Sequence, residues 1–158
     1  DFSLSRGLGD VYKRQLGALT ALTTSQHTND FSAIAVHDPP VNFETLVREE
    51  MVYQGFPGFL FEPTSHYANI FEGISLTLIT PETSLARSAK QPILIFNGML
   101  DERILPHHSL DLVDLANSLG IETELYRYDD VGHVGSLWAY TDEFERLIVQ
   151  FFNENLAS

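Results

Sequence analysis

Two short stretches of the chain carry residue types that can handle a proton. In Ile95-Phe96-Asn97-Gly98-Met99-Leu100-Asp101-Glu102-Arg103-Ile104, an apolar run breaks at Gly98 and a carboxylate follows. In Tyr128-Asp129-Asp130-Val131-Gly132-His133, a second glycine frees the backbone just before an imidazole. A carboxylate held against an imidazole fixes its tautomer and stabilises its protonated form, which suits a histidine general base. On the residues alone a second reading stays open. Asp101 is then a turn residue, since Gly and Asp favour turns, and ionisable pairs also occur for structural reasons. Glu102, Asp129 and Asp130 read as solvated acids.

The elements that must position these residues follow from hydrophobic pattern. Residues 93–97 (Ile-Leu-Ile-Phe-Asn, opened by Pro92) are continuously apolar until Asn97, the pattern of a strand buried on both faces in a parallel sheet. A helix is predicted from Pro106 to Leu119, with Leu112, Val113, Ala116 and Leu119 on its buried stripe and Gly120 closing it. A strand follows over 122–128. The last helix starts at about Thr141, read as its N-cap, with Phe144, Leu147, Ile148 and Phe151 facing inward. Upstream, Gly17 to Thr24 is a small-residue helix, 31–36 a short buried strand, and Asn42 the cap of a helix running to about Met51. Gln54 to Ser65 reads as loop, and Tyr67 to Gly73 as a short helix. Strands and helices alternate, which predicts an α/β fold: a three-layer, partial sheet with parallel strands near 31–36, 93–97 and 122–128. In such sheets ligands bind beyond the carboxyl ends of the strands, where Asp101 and His133 both fall.

Composition narrows the function. The chain has 158 residues, 44% hydrophobic, with 9 basic and 22 acidic side chains and a net charge of −13. Such a surface repels phosphate backbones, so no nucleic-acid partner is expected. No run reaches the roughly 18 apolar residues of a membrane span, so no membrane partner is expected either. The absence of cysteine removes thiolate catalysis and zinc–thiolate sites. The compartment is left open, a soluble cytoplasmic protein being preferred, and so is the oligomeric state.

The stretch PILIFNGMLDERILPHHSLDLVDLANSLG, with ELYRYDDVGHVGSLWAYTDEFERLIVQFF after it, resembles the C-terminal half of an α/β-hydrolase catalytic domain. It is most similar to the prolyl oligopeptidase-type serine peptidases. The resemblance spans Leu16 to about Leu156 and is least specific over Asn42–Leu85. It implies that Asp101 is the triad acid and His133 the triad base, in the chain order Ser, Asp, His. It also implies a Gly-x-Ser-x-Gly-Gly elbow directly before a small-residue helix. LGALTALTT matches the helix side of that elbow, with Gly17 as its final glycine. The nucleophile position then falls at Arg14, in a run, VYKRQLG, that holds no serine. Arginine cannot supply an acyl-forming hydroxyl.

The run RGLGDVYKRQ resembles a translated adapter sequence. Three of the nine basic residues lie in the first fifteen positions, against six basic and twenty acidic residues in the remainder. Residues 1–15 are therefore expected to be a non-native leader, and 16–158 the C-terminal half of the catalytic domain. A genuine basic arm is the alternative. Ser3 and Ser5 lie on the wrong side of the junction to replace the nucleophile.

The resulting expectation is part of a serine hydrolase that acts on a small peptide through an acyl-enzyme, needs no cofactor or metal, and is inactive without its serine. A carboxylesterase and a non-catalytic α/β binding module remain as alternatives. His107 and His108 are read as first-turn surface residues, because adjacent helix positions point apart and no nearby motif completes a metal site. His27, His37 and His66 are read as isolated loop or helix-end residues. Tyr53, Phe56, Phe59 and Phe61 are read either as a pocket lining or as a cover for the sheet, and Trp138 has the same ambiguity. Asp38, at the end of the first strand, could face the site, with no role identified.

Overall fold

The computed structural model describes residues 17–28, 30–73 and 80–156. A helix over residues 17–24 (α1) leads to strand β1, Ile34–His37, and helix α2, Phe43–Tyr53. A 3₁₀ turn, Gly58–Leu60, runs into α3, Phe61–Glu72. Then come α4 (Pro81–Leu85), β2 (Ile93–Gly98), α5 (His107–Ser118), β3 (Thr123–Tyr128), α6 (Ser136–Ala139) and α7 (Thr141–Leu156).

The strands form a parallel sheet in the order β1-β2-β3, with Ile34 opposite Ile93 and Ile93 opposite Thr123. Central β2 is buried along its whole length, which is why its sequence does not alternate. Its side chains still alternate in space. Ile93 and Ile95 pack with Ala18 and Leu22 of α1, Leu85 of α4 and Leu112 and Ala116 of α5. Leu94 and Phe96 pack on the opposite face with Tyr128, Leu147 and Phe151. Two helical layers thus enclose one sheet. Each of the fully buried β2 side chains contributes roughly 1.5–3 kcal/mol of transfer free energy to holding it there.

Chain reversal after α5 needs a left-handed residue. Gly120 supplies it with φ 72°. Its N–H donates to Asn117 O, and the Ile121 N–H donates to Ala116 O. These two bonds satisfy carbonyls that the helix end leaves open and aim the chain into β3.

The structure corrects several local expectations. β1 begins at Ile34 rather than 31 and includes His37. The 54–65 segment is not all loop, because α3 already starts at Phe61. Pro63 does not prevent this, since the first turn of a helix has no use for that N–H. The short α4 was not anticipated. It is set by a reciprocal capping box between Thr80 and Thr83 with a proline in its first turn. Thr141 is the first residue of α7 rather than its cap, and its hydroxyl donates back to Leu137 O at 2.8 Å. No helix among the described residues is long and apolar enough to cross a membrane.

Candidate active site

The exits of β2 and β3 are tied together by main-chain bonds. Met99 N donates to Tyr128 O at 2.8 Å, and Leu100 N to Val131 O at 3.0 Å. At Gly98 the two segments touch: a Cβ there would lie 2.5 Å from Gly132 O and 2.8 Å from Val131 O. Only glycine permits this approach, and the approach brings the segment before His133 against the turn before Asp101.

Asp101 is buried, 2% exposed. Its Oδ1 accepts from the N–H groups of Arg103 (2.8 Å) and Ile104 (3.0 Å). Those bonds orient the carboxylate and leave Oδ2 to face His133 Nδ1 at 2.6 Å. A carboxylate accepts here, so Nδ1 carries the proton and the Nε2 lone pair is left available. Nε2 is buried and has no hydrogen-bond partner among the described residues. An imidazole held in this way can take a proton at Nε2 while the buried carboxylate stabilises the cation that forms.

Asp38 joins the same corner. β1 ends two residues short of the end of β2, with His37 opposite Phe96, and Asp38 follows with its side chain fully buried. Its Oδ1 accepts from Gly98 N (2.9 Å) and Asn97 Nδ2 (3.1 Å), and its Oδ2 from Val134 N (2.8 Å). His133 Nδ1 is 3.8 Å from Asp38 Oδ2. Burial first, and then the Asp101 charge, push the Asp38 carboxyl up to about 6, against the pull of its backbone donors and His133. The sequence placed Asp38 at a strand end without a role. The signal that could have found one is that all three strands end at the same rim.

His37 is also not the isolated residue expected. It is the last residue of β1, and its Nε2 lies 2.9 Å from the buried Ser136 Oγ and 3.5 Å from Asp38 Oδ2. His27 lies exposed in the turn after α1, as expected, whereas His66, also exposed, sits inside α3 rather than in a loop or at a helix end.

The expectation for His107 and His108 is overturned. Their rings stack, with centroids 4.3 Å apart. His108 is fully buried. Glu49 of α2 bridges them, with Oε1 2.9 Å from His107 Nε2 and Oε2 2.9 Å from His108 Nε2. His107 Nδ1 also reaches Asp111 Oδ2 at 3.1 Å. The rings turn together because both follow one carboxylate. This triad has the composition of a metal site, yet its donor set does not fit one. Val41 N–H donates to His108 Nδ1, so the His108 proton sits on Nε2, where a metal would need a lone pair. The oxygens of Asp38 and Asp101 are likewise already occupied by N–H donors.

Of the four aromatic residues singled out, Phe61 is buried beneath the Arg48 guanidinium, which lies 3.8 Å from its ring centroid. Tyr53 and Phe59 are exposed. Phe56 lines an apolar cavity of about 290 Å³ with Leu19, Phe43, Val47 and Met51, and the Arg103–Glu50 ion pair (3.0 Å) forms part of its wall. Trp138 is 72% exposed. The expected elbow position at Arg14 lies outside the described residues.

The sequence profile of the prolyl oligopeptidase family matches residues 17–158. No curated protein sequence matches the chain. Among solved structures, an acylaminoacyl peptidase of Pyrococcus horikoshii superposes with a TM-score of 0.68 at 17% identity, over 90% of this chain and 23% of the peptidase. A Pyrococcus furiosus esterase gives 0.61 at 17% identity, over 87% of this chain and 50% of the esterase. A Mycobacterium tuberculosis puromycin-hydrolyzing peptidase gives 0.67 at 15% identity, over 89% and 21%. The fold is that of an α/β-hydrolase, of which the chain spans half the esterase and under a quarter of the peptidases.

Proposed function

Because the chain belongs to the prolyl oligopeptidase family, we propose that Asp101 and His133 are the acid and base of a serine-peptidase triad. His133 Nε2 takes the proton of an attacking serine hydroxyl and returns it to the leaving amine. Asp101 holds the ring and stabilises the imidazolium. The reaction is acyl transfer to water through an acyl-enzyme. The observation that carries this reading is the 2.6 Å contact from His133 Nδ1 to a buried, doubly anchored carboxylate, with Nε2 left unpartnered among the described residues.

The chain contains no Gly-x-Ser-x-Gly. In this reading the uninterrupted enzyme carries that elbow directly before α1, at the position Arg14 holds here, and residues 1–15 are a foreign leader ahead of half a catalytic domain. The oxyanion donor of the residue after the nucleophile would come with the same elbow. The cavity at Phe43, Val47, Met51 and Phe56 would receive an apolar part of the substrate. A peptide substrate follows from the family. An ester is the second reading, favoured by the esterase that shares the fold over half its length.

The test is chemical. The purified chain should hydrolyse neither p-nitrophenyl esters nor aminoacyl chromogenic substrates. The uninterrupted enzyme should hydrolyse one of the two classes, react with a fluorophosphonate at its elbow serine, and lose both properties on His133→Ala. Turnover by the present chain that His133→Ala abolishes would refute the missing nucleophile. Full activity of the His133→Ala enzyme would refute the triad.

A further inference from the structure

We infer that Asp38 is a positioning residue for the pair at the strand ends: a second buried carboxylate that ties the exit of β2 to the backbone after His133 and so keeps His133 Nδ1 on Asp101. Its functional meaning rests on the triad reading above, but its geometry stands apart from it.

The two oxygens of Asp38 reach both sides of the pair. Oδ1 accepts from Gly98 N, the residue whose carbonyl receives Asp101 N in the turn that sets the acid. Oδ2 accepts from Val134 N, the residue directly after the base. Val134 has φ 50°. A β-branched side chain rarely adopts that conformation, and it persists only where the surroundings impose it. The bond from Asp38 is the imposition visible here. Asp38 itself has φ 44°, so both ends of this tie hold unfavourable backbone.

Three N–H donors take three of the four lone-pair positions of the Asp38 carboxylate, so an amide NH₂ in place of either oxygen would meet an N–H donor. The titratable groups facing it are Asp101, His133 and His37. At 3.8 Å, Asp38 Oδ2 is too far from His133 Nδ1 to accept a hydrogen bond. It acts on the imidazole through the backbone it anchors and through its charge.

Nitrogen-15 NMR of the purified chain tests this without requiring turnover. At pH 7.5 His133 should show a protonated Nδ1 with a low-field proton and an unprotonated Nε2. Asp101→Asn should abolish the low-field signal. If the signal is missing in the unaltered chain, or survives Asp101→Asn, the triad reading itself fails. With that control passed, Asp38→Asn should lose the low-field proton and populate the Nε2–H tautomer, whereas Asn97→Ala should leave both unchanged. A folded Asp38→Asn chain with the original His133 signals overturns the inference and reduces Asp38 to a loop brace. If Asp38→Asn does not fold, titration of the unaltered chain decides. The Val134 amide and the His133 Nδ1 proton should then move with the Asp38 carboxyl carbon, and the Nε2 shift separately reports protonation of the ring. Movement independent of Asp38 overturns the inference.

Discussion

Among the described residues two imidazole–carboxylate clusters occur, and they differ in what each ring has left over. At the strand ends, His133 spends Nδ1 on Asp101 and keeps Nε2 uncommitted among the described residues. Between α2 and α5, His108 spends one nitrogen on Val41 N–H and the other on Glu49, and His107 spends its two on Glu49 and Asp111. The first arrangement can move a proton to a third party. The second can only brace two helices. The residue types are the same, so spare hydrogen-bonding capacity, rather than composition, separates a site from a strut.

Substitutions at the two clusters should therefore fail in different currencies. The largest effect is expected at Asp101. On the triad reading proposed above, Asp101→Asn in the uninterrupted enzyme should lower kcat on the order of 10⁴-fold by upsetting the tautomer, with circular dichroism and urea midpoint little changed. A tenfold loss or less would place Asp101 with the struts.

Asp38 comes next, through pH. Its folded pKa is about 6, against an ordinary value of 3.8. The folded state thus binds this proton more tightly than the unfolded one. The associated stability is present below about pH 4 and is lost as pH rises through 6. Its size is about 3 kcal/mol at most. Urea unfolding of the chain and of Asp38→Asn should show the wild-type advantage shrinking over that interval. A constant difference would mean that Asp38 does not titrate there.

Glu49→Ala should act on stability alone. It leaves the buried Nε2–H of His108 without an acceptor, at a cost of about 1–3 kcal/mol, read as a lower urea midpoint. In the uninterrupted enzyme its kcat should be unchanged, and a kcat loss beyond about tenfold would erase the distinction between the clusters. The smallest effect is expected at His107. Burial alone would lower its pKa, but its bonds to Asp111 and Glu49 outweigh that and raise it. Its contribution is present below about 6.5 and is lost as pH rises past the folded value. The ring is 41% exposed, so His107→Gln should cost only a few tenths of a kcal/mol at pH 6 and less at pH 8. His108, its stacked neighbour, is driven the opposite way by burial, with partial opposition from Glu49, and its contribution falls as pH drops. Calorimetry of the two single variants across pH 5–8 should show slopes of opposite sign.

The comparison also marks how far the sequence could be read. Asp101 and His133 were legible as candidates because each follows a β-strand with a glycine at its exit, but the local pattern left a turn role open for Asp101, and it was the family resemblance that favoured the pair. The stripes of α5 and α7 were legible from their local periodicity. Three things were not. α3 was hidden by Pro63, whose position in the first turn is harmless and shows only once the helix start is known. The convergence of His107 and His108 was hidden because neighbouring helix residues diverge unless something outside the helix draws them together. Asp38 and His37 were visible as residues, but these hydrogen-bond partners lie 59 to 99 positions away.

The sequence by itself determined the alternation of strands and helices and the parallel sheet, and placed a candidate carboxylate and imidazole at its rim. Those depend on periodicity and on glycine, which act within a few residues. The tertiary structure alone decided which imidazole keeps a lone pair and which carboxylate is buried with it. That depends on where distant N–H donors arrive, and no local pattern encodes their arrival.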